Sequence, residues 1–358
     1  MVQARHERLD AIQILRAIAA LAVVFGHALL ELSRYTSFDP AATWPILTMG
    51  RAGVDLFFVI SGFVMVYVSA DHFAQPNVAW RFILRRIARV VPVYWFYTTI
   101  VLIVGLLAPK LFRGLDLSPL YIIASYLFVP MASANGDKMH PLLGLGWTLN
   151  YEMFFYVLFA PMLFLKRANA IVVLAAVFLA LVLVGTFLQP TDGALWFWSR
   201  SIILEFVSGS LLAILYLRGW RHGSAVAAIL TSLALIWLLV TASYWNRGGP
   251  DVRLFVTGVP AILIVAGIIM TRTFDADWRN HFISRIFLLL GDASYSLYLV
   301  HMFVIRALTK LLPVDALGGL YPFLFLFLTI SISAAIAIMS YRMIEQPSNQ
   351  MMRRWLSI

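Results

Sequence analysis

ILRAIAALAVVFGHALLEL, Ile14 to Leu32, has the length and apolarity of a membrane span, yet it holds Arg16 and His27. Nineteen residues at about 1.5 Å each nearly match a hydrocarbon core of roughly 30 Å. Ionisable side chains inside such a span are costly and point to function by default. Arg16 and His27 are eleven residues apart, which at 100° per residue leaves only about 20° of rotation and about 16 Å of rise. Both therefore share one face of one helix. The bland alternatives are an Arg16 that snorkels to headgroups and a packed His27 bonding a carbonyl. Two such residues aligned on one face weaken both alternatives together. The small residues Ala17 to Ala22 open the apolar run instead of following it, so the segment reads as a retained first helix and not a cleaved signal.

The rest of the chain continues the pattern. Of 358 residues, 62% are hydrophobic and 12% charged, well outside the range of soluble globular domains. Apolar stretches near 12–32, 51–70, 88–108, 142–165, 170–188, 196–217, 223–243, 253–271, 284–307 and 321–342 are each long enough to cross a bilayer. An eleventh, 119–131, is too short. If it does not cross, the RHER segment at Arg5–Arg8, the Arg81–Arg89 cluster, Lys166-Arg167, Arg218–Arg221, Arg272–Arg285 and Arg353-Arg354 all fall on one side. The positive-inside rule selects that arrangement. The expectation is an all-α polytopic membrane bundle of about ten transmembrane helices. Both termini are cytoplasmic, and 119–131 forms a re-entrant or interfacial helix. Residues 1–358 read as a single domain, since no loop is long enough for a separate core. The net charge of +10 fits basic loops beside anionic lipid and not nucleic acid. The chain has no cysteine, which excludes disulfides and thiolate chemistry. Zinc-type spacings, Gly-rich phosphate loops and a GxSxG elbow are absent from the sequence, so no metal is expected.

More polar residues lie at membrane depth. GVDLFFVISGF places Asp55 near the end of the second span and Ser61-Gly62 near its centre, where small residues also suit close helix packing. GWTLNYEMFFY carries Asn150 and Glu152. A carboxylate there needs a partner or a task. Arg200 and Glu205 are five apart and face different ways, so each needs a partner elsewhere. SYSLYLVHM aligns Ser294, Tyr298 and His301 on one stripe, which suits either an acceptor route or interhelix hydrogen bonds. WRFILRRIARVVPVYW gathers Arg81, Arg85, Arg86 and Arg89, with Pro92 early in the helix. Positive-inside topology needs basic residues but not four arginines, and guanidinium favours bidentate phosphate recognition.

Five of these segments together resemble the membrane acyltransferase-3 family of bacterial polysaccharide and lipopolysaccharide O-acyltransferases. They are Arg16-X10-His27, FFVISG at Phe57–Gly62, Arg86-Ile-Ala-Arg89, WTLNYEMFFY and SYSLYLVH, in the family's order. The N-terminal IQILRAIAALAVVFGH is most similar to the exopolysaccharide-acetylating branch. The resemblance implies ten membrane helices in a bacterial inner membrane, an acyl-CoA co-substrate (usually acetyl-CoA) from the cytosol and no permanently bound cofactor. It implies a polysaccharide or lipid-linked saccharide as acceptor, with membrane lipids and polysaccharide assembly machinery as further partners.

On this reading Arg85, Arg86 and Arg89, with Ser61, bind the donor, whose arm passes Arg16 toward His27. His27 is the general base, and Asp55 or Glu152 orients its ring. His301, Tyr298 and Ser294 line the acceptor route. The competing classes are a transporter with buried charges along its path and a non-catalytic subunit of a polysaccharide export complex. A transporter predicts inverted repeats and broken helices, neither of which the sequence shows, though Pro92 and Pro260 could interrupt spans.

Overall fold

The computed structural model describes residues 9–34, 44–108, 115–134, 139–246, 252–271, 281–313 and 317–357. Arg5, Arg8 and Arg272, which entered the topology argument, lie outside them. Among the described residues every regular element is helical: α1 (Asp10–Leu32), α2 (Trp44–Val68), α3 (Val78–Leu107), α4 (Pro119–Tyr126), α5 (Trp147–Met162), α6 (Arg167–Leu188), α7 (Gly193–Trp198), α8 (Leu204–Leu217), α9 (Ser224–Thr241), α10 (Val259–Ile269), α11 (Phe282–Asp292), α12 (Ser294–Leu311), α13 (Tyr321–Ser340) and α14 (Gln346–Trp355).

Among the described residues six helices are long and apolar enough to cross a membrane: Asp10–Leu32, Leu47–Val68, Val78–Leu107, Arg167–Leu188, Ser224–Tyr244 and Gly318–Trp355. They coincide with six of the ten stretches expected from sequence. The other four take different forms. Residues 142–165 hold only the 16 residues of α5, about 24 Å of helix. Residues 196–217 are interrupted between α7 and α8 by a 3-10 turn, Ser201–Ile203. Residues 253–271 begin with a π-helical turn, Leu254–Gly258, before α10. Residues 284–307 bend by 81° between α11 and α12, a broken span or a re-entrant loop. Pro92 lies inside the continuous 30-residue α3, so it does not interrupt that span. Pro260 sits at the start of α10, where its missing N–H costs least. At 119–131 the helix is eight residues long, far short of a crossing.

The chain divides into two compact units, residues 1–68 with 208–341, and 69–207 with 342–358. In the first unit α1 is the central helix, packed on α2, α10, α11, α12 and α13. Small residues make that possible. A Cβ on Gly50 would lie 2.6 Å from the Gly26 Cα, and one on Gly53 would lie 2.5 Å from the Ala19 carbonyl, so α1 and α2 touch backbone to backbone. Gly291 of α11 meets the backbone of Gln13 in the same way. Beyond His27, Ala28 and Leu32 join Val304, Ile305, Leu308, Tyr321 and Phe325 in one apolar cluster. Gly209 of α8 presses on the Val59 carbonyl, and Ser210 Oγ donates to the Gly62 carbonyl at 3.3 Å. The Ser61-Gly62 pair therefore lies in a close-packed seam, with Ser61 itself buried.

In the second unit α4 is pinned beside α3. Tyr94 Oη donates to the Ser125 carbonyl and Trp95 Nε1 to the Tyr126 carbonyl, both at 2.9 Å. Asp116 closes the neighbouring loop, accepting from the Ala134 N–H at 2.8 Å and the Ser118 N–H at 2.9 Å. Those two donors hold its carboxyl below the usual carboxylate range, because they favour the ionised form. A depressed folded value means the contribution is present above the ordinary carboxylate range and is lost as pH falls through the lowered one. Relative to the intrinsic rate at each pH, hydrogen exchange at the Ser118 and Ala134 amides is expected to accelerate on acidification through that window. Asp116→Asn is expected to show the faster rate already at neutral pH.

Candidate active site

The first unit assembles three of the motif segments around His27. His27 on α1 and His301 on α12 meet with Nδ1 of His27 3.1 Å from Nε2 of His301, ring centroids 5.1 Å apart. Nδ1 of His301 lies 3.2 Å from the Leu297 carbonyl, one turn back. A carbonyl only accepts, so His301 carries its proton on Nδ1 and offers the Nε2 lone pair. His27 must then donate from Nδ1. That assignment leaves the lone pair of a neutral His27 on Nε2. The chain Leu297 C=O, His301, His27 fixes both tautomer and ring orientation, the task a carboxylate performs in hydrolase triads. Tyr298 stands 6.0 Å from the His301 ring and 6.2 Å from Phe57 of the FFVISG segment, centroid to centroid. His301 is fully buried, and Ser294, at the start of α12, is buried too. Arg16 and His27 are both half-buried on α1.

Asp55 does something other than orient His27. Its Oδ1 accepts from Arg253 Nε at 3.0 Å and from Thr257 Oγ1 at 3.0 Å, and its Oδ2 from Arg253 Nη2 at 2.9 Å. The side chain is 0% exposed. A bidentate guanidinium plus a hydroxyl occupies both oxygens, which corrects the expectation that this carboxylate steadies the imidazole. Arg253 precedes the π-helical turn before α10 and Thr257 lies within it, a geometry that often marks functional segments. Sequence reading missed both, because Arg253 sat at a span boundary where a basic residue needs no explanation.

The second unit joins the other two motif segments. Arg86 of α3 is buried, with its guanidinium carbon 5.6 Å from the Phe82 ring centroid and 5.9 Å from that of Tyr156 on α5. Tyr156 is also a hydrogen-bond partner of Arg86, and Glu152 and Arg89 are its charged neighbours. The Tyr156 hydroxyl donates to Glu152 Oε1. Glu152 thus has a fixed local role, as the acceptor behind a tyrosine that backs a buried arginine. Arg85 is exposed and Arg89 half-buried, so the four arginines split between the surface and the interior. Tyr156 was legible only as part of a motif, with no role attached. No group of three or more His, Asp or Glu suited to a metal ion occurs among the described residues.

Among the described residues the elements are helical and include membrane-length spans, with a histidine pair in one unit and a buried arginine beside a tyrosine and a carboxylate in the other. A family described as an acyltransferase domain matches residues 9–341, a stretch that runs through both units. The chain belongs to this membrane acyltransferase-3 family and is an acyltransferase. It is 38% identical over 307 residues to the exopolysaccharide production protein ExoZ of Rhizobium meliloti, covering 84% of this chain and 90% of that one. It is 29% identical over 331 residues to the acyltransferase MdmB of Streptomyces mycarofaciens, covering 84% and 80%. It is 25% identical over 358 residues to the O-acetyltransferase OatA of Staphylococcus aureus, covering 93% of this chain and 56% of that one. No solved structure matches the chain.

Proposed function

We propose that this protein transfers a short acyl group, acetyl in the simplest case, from cytosolic acyl-CoA to a hydroxyl of an exported polysaccharide or its lipid-linked precursor. It does so in the bacterial inner membrane, with both termini in the cytoplasm and residues 1–358 acting as one catalytic domain. The observation that supports this reading is the His27–His301 pair, an imidazole held by a second imidazole inside a membrane acyltransferase. Nε2 of His27 takes the proton of the acceptor hydroxyl as its oxygen bonds to the thioester carbonyl carbon. When the tetrahedral intermediate collapses, the C–S bond breaks and the departing thiolate takes that proton back. Arg85, Arg86 and Arg89 take the phosphates of the donor, with Tyr156 and Glu152 holding Arg86 in place. Arg16, eleven residues before His27 on α1, contacts the donor arm. His301 is a positioning residue, and Tyr298 and Ser294 stand on its helix toward the acceptor. The printed names of two relatives, an exopolysaccharide production protein and an O-acetyltransferase, support a saccharide acceptor and an oxygen as the acylated atom.

A second reading, carriage of acyl groups across the bilayer, has the 81° break between α11 and α12 in its favour. Purified protein in liposomes, supplied with labelled acetyl-CoA, separates the two. The enzyme is expected to release free CoA in proportion to acceptor. A carrier would move label without acceptor-dependent CoA release, and an inert subunit would do neither. In cells, removing the protein is expected to lower the O-acetyl content of the surface polysaccharide.

A further inference from the structure

Asn150 lies in the first turn of α5 and is 1% exposed, yet neither its amide nitrogen nor its carbonyl oxygen has a hydrogen-bond partner. An unpaired buried amide is costly, so the position needs a reason. Its surroundings share the property. Phe154, one turn further along α5, stacks on Trp198 at 4.8 Å and 7°, while Tyr151 Oη donates to the Phe197 carbonyl at 2.6 Å. This face of α5 therefore packs on the end of α7, where the helix breaks. At that break Trp198 Nε1 and Ser201 Oγ are also buried without a partner. The Arg200 guanidinium lies over the Trp196 ring at 4.3 Å.

From this juxtaposition we infer that the break between α7 and α8, faced by Asn150, is a saccharide-binding site that holds hydroxyls of the acceptor. The three groups supply one pure donor, one hydroxyl and one amide that both gives and accepts. That mixture fits a set of sugar hydroxyls, each of which does both, and it sits among aromatic rings that suit the apolar faces of a pyranose. Irregular backbone at membrane depth is tolerated where it lines a substrate cavity. The inference rests on the acyl-transfer reading and adds the residues that select its acceptor.

The test is Asn150→Leu, similar in size and free of the unpaired amide, with Trp198→Phe as a variant that keeps the ring stack and removes the N–H. The saccharides are cellotetraose and fragments of the cell's own surface polysaccharide. For both variants the acceptor KM is expected to rise about tenfold or more, with acetyl-CoA KM unchanged. The thermal midpoint of Asn150→Leu is expected to hold or rise, since an unsatisfied polar group is removed. A lower midpoint with unchanged acceptor KM would assign Asn150 to packing, and a raised donor KM would assign the site to CoA. Failure of every saccharide to bind the wild type would also overturn the inference. If the wild type releases no CoA from acetyl-CoA with any acceptor, the acyl-transfer reading has failed instead. If it turns over normally and the variants match it, only this inference has failed.

Discussion

His27→Ala is expected to lower acceptor-dependent CoA release by about 10²- to 10⁴-fold, the range general-base catalysis supplies, with protein levels and donor binding unchanged. The size follows from the arrangement on α1. On the proposed mechanism His27 is the group that takes the proton, and removing it leaves the acceptor hydroxyl with no partner to receive it. The loss should fall on kcat and on kcat/KM alike, because the interaction is made in the transition state. His27→Gln keeps a polar side chain of similar reach but cannot take the proton, so it is expected to be nearly as inactive. Full activity in His27→Ala would remove the base from this position altogether.

A comparable effect on stability is expected at Asp55. Asp55→Ala leaves the Arg253 guanidinium without its carboxylate in a mostly buried site. Removing one partner of a buried pair typically costs about 3–5 kcal/mol, whereas replacing both by apolar residues of similar volume can be neutral. Asp55→Ala should therefore lower the thermal midpoint in detergent strongly. Asp55→Leu combined with Arg253→Met should recover most of the loss. If the single variant melts like the wild type, the pair does not hold α2 to the segment before α10.

The sequence carried the helical class and the face shared by Arg16 and His27, because both depend on local periodicity. It carried His301 as a member of a polar stripe but not as the partner of His27, since that contact joins residues 274 positions apart. Asp55 illustrates the same limit, because its partners Arg253 and Thr257 come from a distant segment. The interrupted spans were partly readable in retrospect. The Ser199-Arg200-Ser201 triplet and the Gly291-Asp292-Ala293 step lie where α7 ends and where α11 meets α12. Hydropathy over a long window averaged such short polar steps away. The five motif segments, read as one series along the chain, fall into a group of three around His27 and a group of two around Arg86. That division is a property of packing and has no local signal.

The central claim is that His27 is the base and that His301 works only through it. A double-mutant cycle on acceptor-dependent CoA release tests this most directly, using His27→Ala, His301→Phe and the combination. The expected result is that His301→Phe slows the wild type but adds nothing to His27→Ala, so the double variant matches the single one. Losses that simply multiply would contradict it, since His301 would then act independently of His27.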